Sequence, residues 1–405
     1  MSAHATIRAR MSYATGWVAP PLGRLVGERR RAWRSDGTLA DVGSRYGALA
    51  AAVVAVVILA LSACTGAAPA SSGSAPSEPG TSSPAGGRPA TAQSSVASVW
   101  GAARHLDYSQ GGEDVTSVSC PSASFCMAVL GSGYAAMYDG SKWSRPSRLS
   151  SSAGQPDSVS CPTVSFCMGV DAEDSATFLF NGSTWSSAPS ISDPVPSTQK
   201  GMASVSCSSP SFCAAVDNGS NAFSFNGISW SPATAIDPGN ELSTVSCPSA
   251  SFCAAVDYGP NVVTFNGTSW RKPSAIDPGG YLQAVSCASA SFCVAIDRKG
   301  NAFTFNGGTW SAPVNADPNG LSMGEGGISW PVVSCPASNF CAAVDGGGGN
   351  VVTFDGSSWT APVNIDSKAA NSVSGPVLIF LMSVACLSAA FCVAGDSIGD
   401  AFVRS

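Results

Sequence analysis

The chain has 405 residues, of which 11% are charged, 43 are Gly and 27 are Pro, a composition that suits short strands joined by tight turns and argues against a helical protein. The formal charge of -6 hides an asymmetry: the first 63 residues hold 8 Arg and 3 acidic groups, while residues 64–405 hold 12 basic and 23 acidic groups. A region this acidic, with its Lys and Arg scattered, repels phosphate backbones, so nucleic acid is excluded as an expected partner.

Residues 1–46 form a basic N-terminal region that includes Arg29, Arg30, Arg31, Arg34 and Arg45. Residues 47–64 follow with a run of small and aliphatic side chains, Gly47 to Ala63, ending at Cys64. A positive approach and a short apolar stretch are the n-region and h-region of a signal peptide. Leu61-Ser62-Ala63-Cys64 resembles the lipobox of bacterial lipoproteins, in which the Cys is acylated and becomes the new N-terminus. Cys64 is also the one Cys of 15 that has no repeat partner. The resemblance implies a lipid anchor on the outer face of the cell membrane; an uncleaved signal anchor is the alternative. Residues 65–93 are almost entirely Ala, Ser, Pro, Gly and Thr, too poor in large apolar groups to bury a core, and read as a disordered linker.

From residue 94 to 405 one unit recurs. Its marker is a Cys-x5-Cys pair: Cys120/Cys126, Cys161/Cys167, Cys207/Cys213, Cys247/Cys253, Cys287/Cys293, Cys335/Cys341 and Cys386/Cys392, at intervals of 41, 46, 40, 40, 48 and 51 residues. A period near forty with four short strand signals per unit is that of a propeller blade, whereas helical solenoids show 3.6-residue periodicity. In residues 242–273 the strands read L-S-T-V-S-C (strand A), S-F-C-A-A-V-D (B), N-V-V-T-F (C) and T-S-W (D). Between C and D stands Asn266-Gly267, with equivalents at Asp139-Gly140, Asn181-Gly182, Asn226-Gly227, Asn306-Gly307 and Asp355-Gly356. Such pairs favour a tight type I′ hairpin, in which both positions need positive φ.

The seventh Cys pair is followed by too few residues to make a strand D. The segment V-A-S-V-W-G-A-A-R-H-L-D at 96–107 matches strand D of the other units, with Trp100 in the place of Trp143, Trp185, Trp230, Trp270, Trp310 and Trp359. The expected fold is therefore all-β: a seven-bladed β-propeller of four-stranded blades, closed by an N-terminal strand that completes the last blade and leaves no open edge. Recurrent aromatics account for 20 of the 34 present and are assigned to packing between blades. A monomer is expected.

Within each unit the two Cys face each other across one hairpin, close enough for a disulfide through a four- or five-residue turn. Fourteen regularly spaced Cys point to an oxidising compartment. Zinc is disfavoured because sites want Cys or His in fours and residues 65–405 hold a single His, His105. Redox chemistry is disfavoured by the lack of Cys-x-x-Cys. No metal or cofactor is expected.

Any ligand is expected on the face formed by the B-to-C and D-to-A loops, which vary in length at about 188–203, 318–334 and 367–383. Two Asp series gather there: Asp171, Asp217, Asp257, Asp297, Asp345 and Asp396 after strand B, and Asp107, Asp193, Asp237, Asp277, Asp317 and Asp366 after strand D. Asp ahead of Gly, Asn or Pro starts a turn by accepting backbone N–H bonds; alternatively the series form an acidic rim that attracts cations or a basic partner. The aromatics outside the repeat in these loops, Tyr108, Tyr258, Tyr281 and Trp330, are candidates to stack on a sugar or anchor a peptide. With Asp217, Asp257 and Asp297 they make up the candidate ligand-binding set.

No catalytic residue is nominated, because a lone His105 and repeating carboxylates supply no nucleophile and base. The Thr264-Phe265-Asn266-Gly267-Thr268-Ser269-Trp270 stretch resembles a degenerate Asp-box (BNR) turn, without the residue between Asp and Gly. The whole unit, C-P-S-x-S-F-C-x-A-V-D…G-N-x-x-T-F-N-G-x-S-W, resembles repeats of secreted actinobacterial propeller proteins of unassigned activity. It implies no substrate, since propellers host many functions. The expected function is a non-enzymatic, lipid-anchored extracytoplasmic module that binds a cell-surface protein or glycan. A polysaccharide-active hydrolase or lyase, which needs a carboxylate pair at the channel mouth, is the alternative, and a structural scaffold a third reading.

Overall fold

The computed structural model describes residues 99–106, 114–150, 154–192, 201–316, 331–344, 347–368 and 379–405; residues 1–98, with Cys64, lie outside the described residues. Seven antiparallel sheets of four strands each carry the fold. Blade 4 is typical, with strand A at Leu242–Ser249, B at Phe252–Asp257, C at Asn261–Phe265 and D at Ser274–Ala275. Strand A of every blade touches strand A of the next, and the last touches the first. The strands A therefore form the inner wall of a closed ring.

Blade 7 takes Leu381–Ser388, Phe391–Asp396 and Asp400–Arg404 from the C-terminus and its fourth strand, Arg104–His105, from the other end of the chain. Arg104 lies opposite Ala401 and His105 opposite Asp400, and Trp100 bridges to Arg404. The seven-bladed ring with its N-terminal closing strand is thus present as the repeat predicts.

Strand B shows why the unit is rich in Ala and Val. It runs between two neighbouring blades, so both faces are covered and the whole segment is buried or nearly so. Cys253 and Ala255 face blade 3, in a cluster with Val216, Leu242 and Phe265. Ala254 and Val256 face blade 5, with Leu282, Phe303 and Phe305. The core is accordingly seven clusters between blades.

All seven Cys pairs form disulfides: Cys120–Cys126, Cys161–Cys167, Cys207–Cys213, Cys247–Cys253, Cys287–Cys293, Cys335–Cys341 and Cys386–Cys392. Cys247 and Cys253 have Cα atoms 4.1 Å apart, as expected for residues directly opposed on adjacent strands. The second member of each pair, Cys126, Cys167, Cys213, Cys253, Cys293, Cys341 or Cys392, stands on strand B and is 0% exposed. These seven sulfurs are core groups packed between blades, beyond the reach of any ligand, and the bridges are structural. The connecting turn, however, is shorter than the four or five residues expected. In blade 4 Ser249 pairs with Phe252, leaving Ala250-Ser251 as a two-residue turn, and a register shift between Ser246 and Ser249 takes up the difference.

Two further local expectations are corrected. The C-to-D loop is not a two-residue type I′ turn, because only its Gly has positive φ, +92° at Gly267. Asn266 N–H instead reaches Ser269 O across four residues, and Asn266 Oδ1 accepts from Thr268 N and Ser269 N at 3.0 and 2.9 Å. The side chain holds the turn, so the Asx residue keeps ordinary φ. Gly267 also lies against Ser251, whose Cα would be 3.1 Å from an added Cβ. At Asp355 the same grip, led by the Ser357 hydroxyl, holds the carboxyl down to about 2. Strand D, in turn, is displaced from its Trp except in blade 2, where it is Trp185–Ser187. Trp270 makes a single bridge to Phe265, and ladder pairing resumes only at Ser274–Ala275, after Pro273, which has no N–H to donate.

The recurrent S-V-S-C has a purpose that its own blade does not reveal. Ser119, Ser160, Ser206, Ser246, Ser286 and Ser334 each accept, through Oγ, the N–H of the first Cys in the following blade, all at 2.9 Å. These bonds staple the inner wall from blade to blade. At the seventh junction the residue is Ala385, which has no hydroxyl to offer Cys120. Ala385→Ser is expected to complete the circle and add roughly 0.5–1.5 kcal/mol, read as a higher denaturant midpoint at unchanged slope; an unmoved midpoint counts against the stapling role.

Candidate ligand-binding face

On the face of the B-to-C turns and D-to-A connections, strand B of blades 2 to 5 and 7 ends in an Asp whose carboxylate turns back into its own loop. Asp217 Oδ1 accepts from Gly219 N and Asn221 N at 2.8 and 2.7 Å, and Oδ2 accepts from Asn221 Nδ2 at 2.8 Å. Asp257 is held in the same way by Gly259 and Asn261, and Asp297 by Lys299 and Asn301. The three are 0, 0 and 1% exposed. A buried polar group must find partners, and Asn four residues on supplies them. The structure thus gives Asp217, Asp257 and Asp297 an internal, turn-holding position. Asp107, Asp193, Asp317 and Asp345 lie outside the described residues.

The second Asp series meets the first across blade junctions. Asp237, at the end of strand D of blade 3, is reached by Asn261 Nδ2 at 3.2 Å, the same nitrogen that serves Asp257. Burial pushes the Asp257 carboxyl up to about 6, with the Asp237 charge adding to it against the Asn261 bonds. Burial, reinforced by the charge of Asp297, likewise raises Asp277. These acids are interleaved between blades rather than set around a rim. Among the described residues, no group of three or more His, Cys, Asp or Glu is placed to hold a metal ion.

At the closing blade the pattern changes. Asp400 stands where blades 3 to 6 have Asn221, Asn261, Asn301 and Asn350, so Asp396 lacks an amide partner and its buried Oδ2 has no hydrogen bond. Two polar partners stand on the other side of Asp400. Lys368 Nζ lies 2.6 Å from Oδ2, and His105 Nδ1 lies 3.0 Å from Oδ1. His105 therefore belongs to the closure, linking the two ends of the propeller; the sequence placed it in strand D without a partner.

Of the aromatic candidates, Tyr108 and Trp330 lie outside the described residues. Tyr258 is half-buried, with its N–H on Glu241 O at 2.8 Å. Tyr281 is 56% exposed, and the Arg298 guanidinium lies 5.9 Å from its ring centre, while Arg298 N–H donates to Tyr281 O at 2.9 Å. Exposed Tyr281 and half-buried Arg298 form an aromatic–cation pair at the junction of blades 4 and 5. A similar pair, Tyr134 with Arg148 at 5.3 Å, stands on blade 1; fourteen residues of separation concealed it, although the two are direct cross-strand partners. The string Gly320-Leu321-Ser322-Met323-Gly324 matches G-x-S-x-G, a nucleophile elbow only in a strand-to-helix context; it too lies outside the described residues.

No protein-family model matches the sequence, and no curated protein matches it. Solved structures do. YCF48 bound to D1 peptide aligns at 15% identity with a TM-score of 0.55, covering 75% of this chain and 96% of that one. YCF48 from Cyanidioschyzon merolae aligns at 14% and 0.55, covering 75% and 98%. The WD40 β-propeller domain of Doa1 aligns at 12% and 0.56, covering 76% and 97%. At such identities the likeness is one of fold, and together with the seven four-stranded sheets it makes this chain a seven-bladed β-propeller with a disulfide in every blade.

Proposed function

We propose that the chain is a protein-binding propeller, held on the outer face of the cell membrane by acylated Cys64, that engages its partner through the B-to-C and D-to-A face. The observation that carries the reading is Tyr281, an exposed aromatic beside Arg298, on a disc whose recurrent aromatics pack between blades. Tyr and Arg are the residues in which interface energy concentrates. The YCF48 structure solved with a peptide supports a protein partner over a glycan, and seven disulfides support an oxidising, extracytoplasmic setting. The hydrolase reading requires an accessible carboxylate pair. Asp237 and Asp257 are neighbours, but at 4 and 0% exposure and tied to Asn261 they offer a substrate nothing.

Cross-linking on intact producing cells is expected to trap a partner with the native chain and to lose it with Tyr281→Ala; a partner trapped equally by both places the interface elsewhere. Glycan turnover by the purified chain would establish the enzyme reading instead. Cys64→Ser is expected to move the protein from the membrane fraction to the medium, and retention in the membrane refutes the lipid anchor.

A further inference from the structure

A cavity of about 560 Å³ opens between blades 3 and 4, and neither Tyr281 nor Arg298 lines it. Thr234 and Ala235 line it, and they are the outermost strand of blade 3, with no further strand beyond. Arg271 and Lys272 line the blade 4 side, beside Trp270. Both are exposed, and among the described residues neither has a carboxylate within ion-pair distance. On an acidic protein this is an adjacent pair of unneutralised cations.

The pair also breaks the repeat at a place where the repeat has work to do. The residue after the Trp is Ser144, Ser186, Ser231, Ser311 or Thr360 in five other blades. In four of them its hydroxyl accepts the N–H of strand C, at Met137, Ser224, Thr304 and Thr353, each at 3.0 Å. Blade 4 has Arg271 instead, and Thr264 forgoes that bond. Blades 1, 3, 5 and 6 keep this local rule, and blade 4 gives it up for a charge beside a groove, a departure of the kind expected at a site.

We propose that this groove binds an extended acidic segment of a partner protein, its backbone pairing along the free edge of Thr234–Ala235 and its carboxylates meeting Arg271 and Lys272. Edge backbone groups suit a peptide strand, and guanidinium suits carboxylates. A sugar is less well served, because Trp270 is engaged by Phe265, ring centres 5.4 Å apart, and is half-buried. The site includes neither Tyr281 nor Arg298 and does not depend on the function proposed above.

The test is fluorescence anisotropy of a labelled peptide of alternating Glu and Thr, with a Lys and Thr peptide and polygalacturonate as comparators. Arg271→Ser combined with Lys272→Ala copies Ser311-Ala312 of blade 5, so this variant keeps the fold by the protein's own rule, and its melting temperature checks that. The acidic peptide is expected to bind at low salt, to weaken at high salt, and to bind the variant roughly tenfold less tightly; the Lys peptide is expected not to bind. Tyr281→Ala is expected to leave the peptide affinity unchanged, which separates this site from the other face. The proposal is overturned if the acidic peptide fails to bind at low salt or binds the variant as well as the native chain. Polygalacturonate binding through Arg271 and Lys272 more tightly than the peptide overturns it equally.

Discussion

Deletion of residues 1–106 is expected to leave a chain that melts far below the native protein and associates through blade 7. The segment lost supplies the fourth strand of that blade. Gly101 N–H donates to Val403 O at 2.8 Å and Leu106 N–H to Gly399 O at 2.7 Å, flanking the Arg104–His105 pairing. Leu106 is 1% exposed, in the cluster that joins blades 7 and 1, and Trp100 packs on the one that joins blades 6 and 7. Removing a buried Leu side chain alone costs about 2–5 kcal/mol. With the strand and the Trp gone as well, the loss is comparable to the roughly 5–15 kcal/mol that keeps a typical domain folded. Asp400–Arg404 becomes an unprotected edge, a template for pairing with a second copy. Thermal melting and size-exclusion chromatography read both effects, and a synthetic peptide spanning residues 94–106 is expected to reverse them in trans. A truncated chain that stays monomeric and melts like the native one would show that closure contributes little.

The second large effect is on pH dependence. Asp396 is fully buried, and burial raises its carboxyl to about 7, against the N–H bonds of Asp400 and Ile398 and with the charges of Asp400 and Asp366 adding to the rise. In the unfolded chain an Asp titrates near 3.9. Between about pH 4 and 7 the folded state therefore binds more protons than the unfolded one, and stability falls as pH rises through that window. Asp257, raised to about 6, acts in the same direction over a narrower range. The propeller is expected to melt at a higher temperature near pH 5 than near pH 8. Asp396→Asn keeps an acceptor for Ile398 and Asp400 and removes the charge that burial opposes. It is expected to stabilise the protein by about 1–3 kcal/mol near pH 8 and to flatten the profile. The opposite slope, or a variant less stable at alkaline pH, contradicts the assignment.

Which features the sequence disclosed depends on how far apart the partners are. The Cys pairs, the Trp series and the closing strand were legible because each repeats in phase, and the absence of a seventh strand D pointed to its replacement. The contacts between blades were not. Ser246 and Cys287 stand in adjacent copies of one motif, and nothing within a single copy shows that the first serves the second. The Asp series were visible, but not Asn221 or Asn261 as their holders, so their carboxylates could be read as exposed. Asn-Gly suggested the wrong turn because a side chain that accepts two N–H bonds removes the need for positive φ at Asn. Arg271 and Lys272 were lost in a count of scattered cations until strand D placed them on a groove.

The disulfides have a further consequence for biosynthesis. Every one closes over a sequence separation of 6, so each thiol's correct mate is its nearest neighbour along the chain. A hairpin can be oxidised before the next pair of thiols is available to compete, so order along the chain favours the native pairings. These covalent links stay within hairpins and none spans two blades, so the circle itself is held by noncovalent contacts. An oxidised chain can therefore open and reclose its ring with every bridge intact.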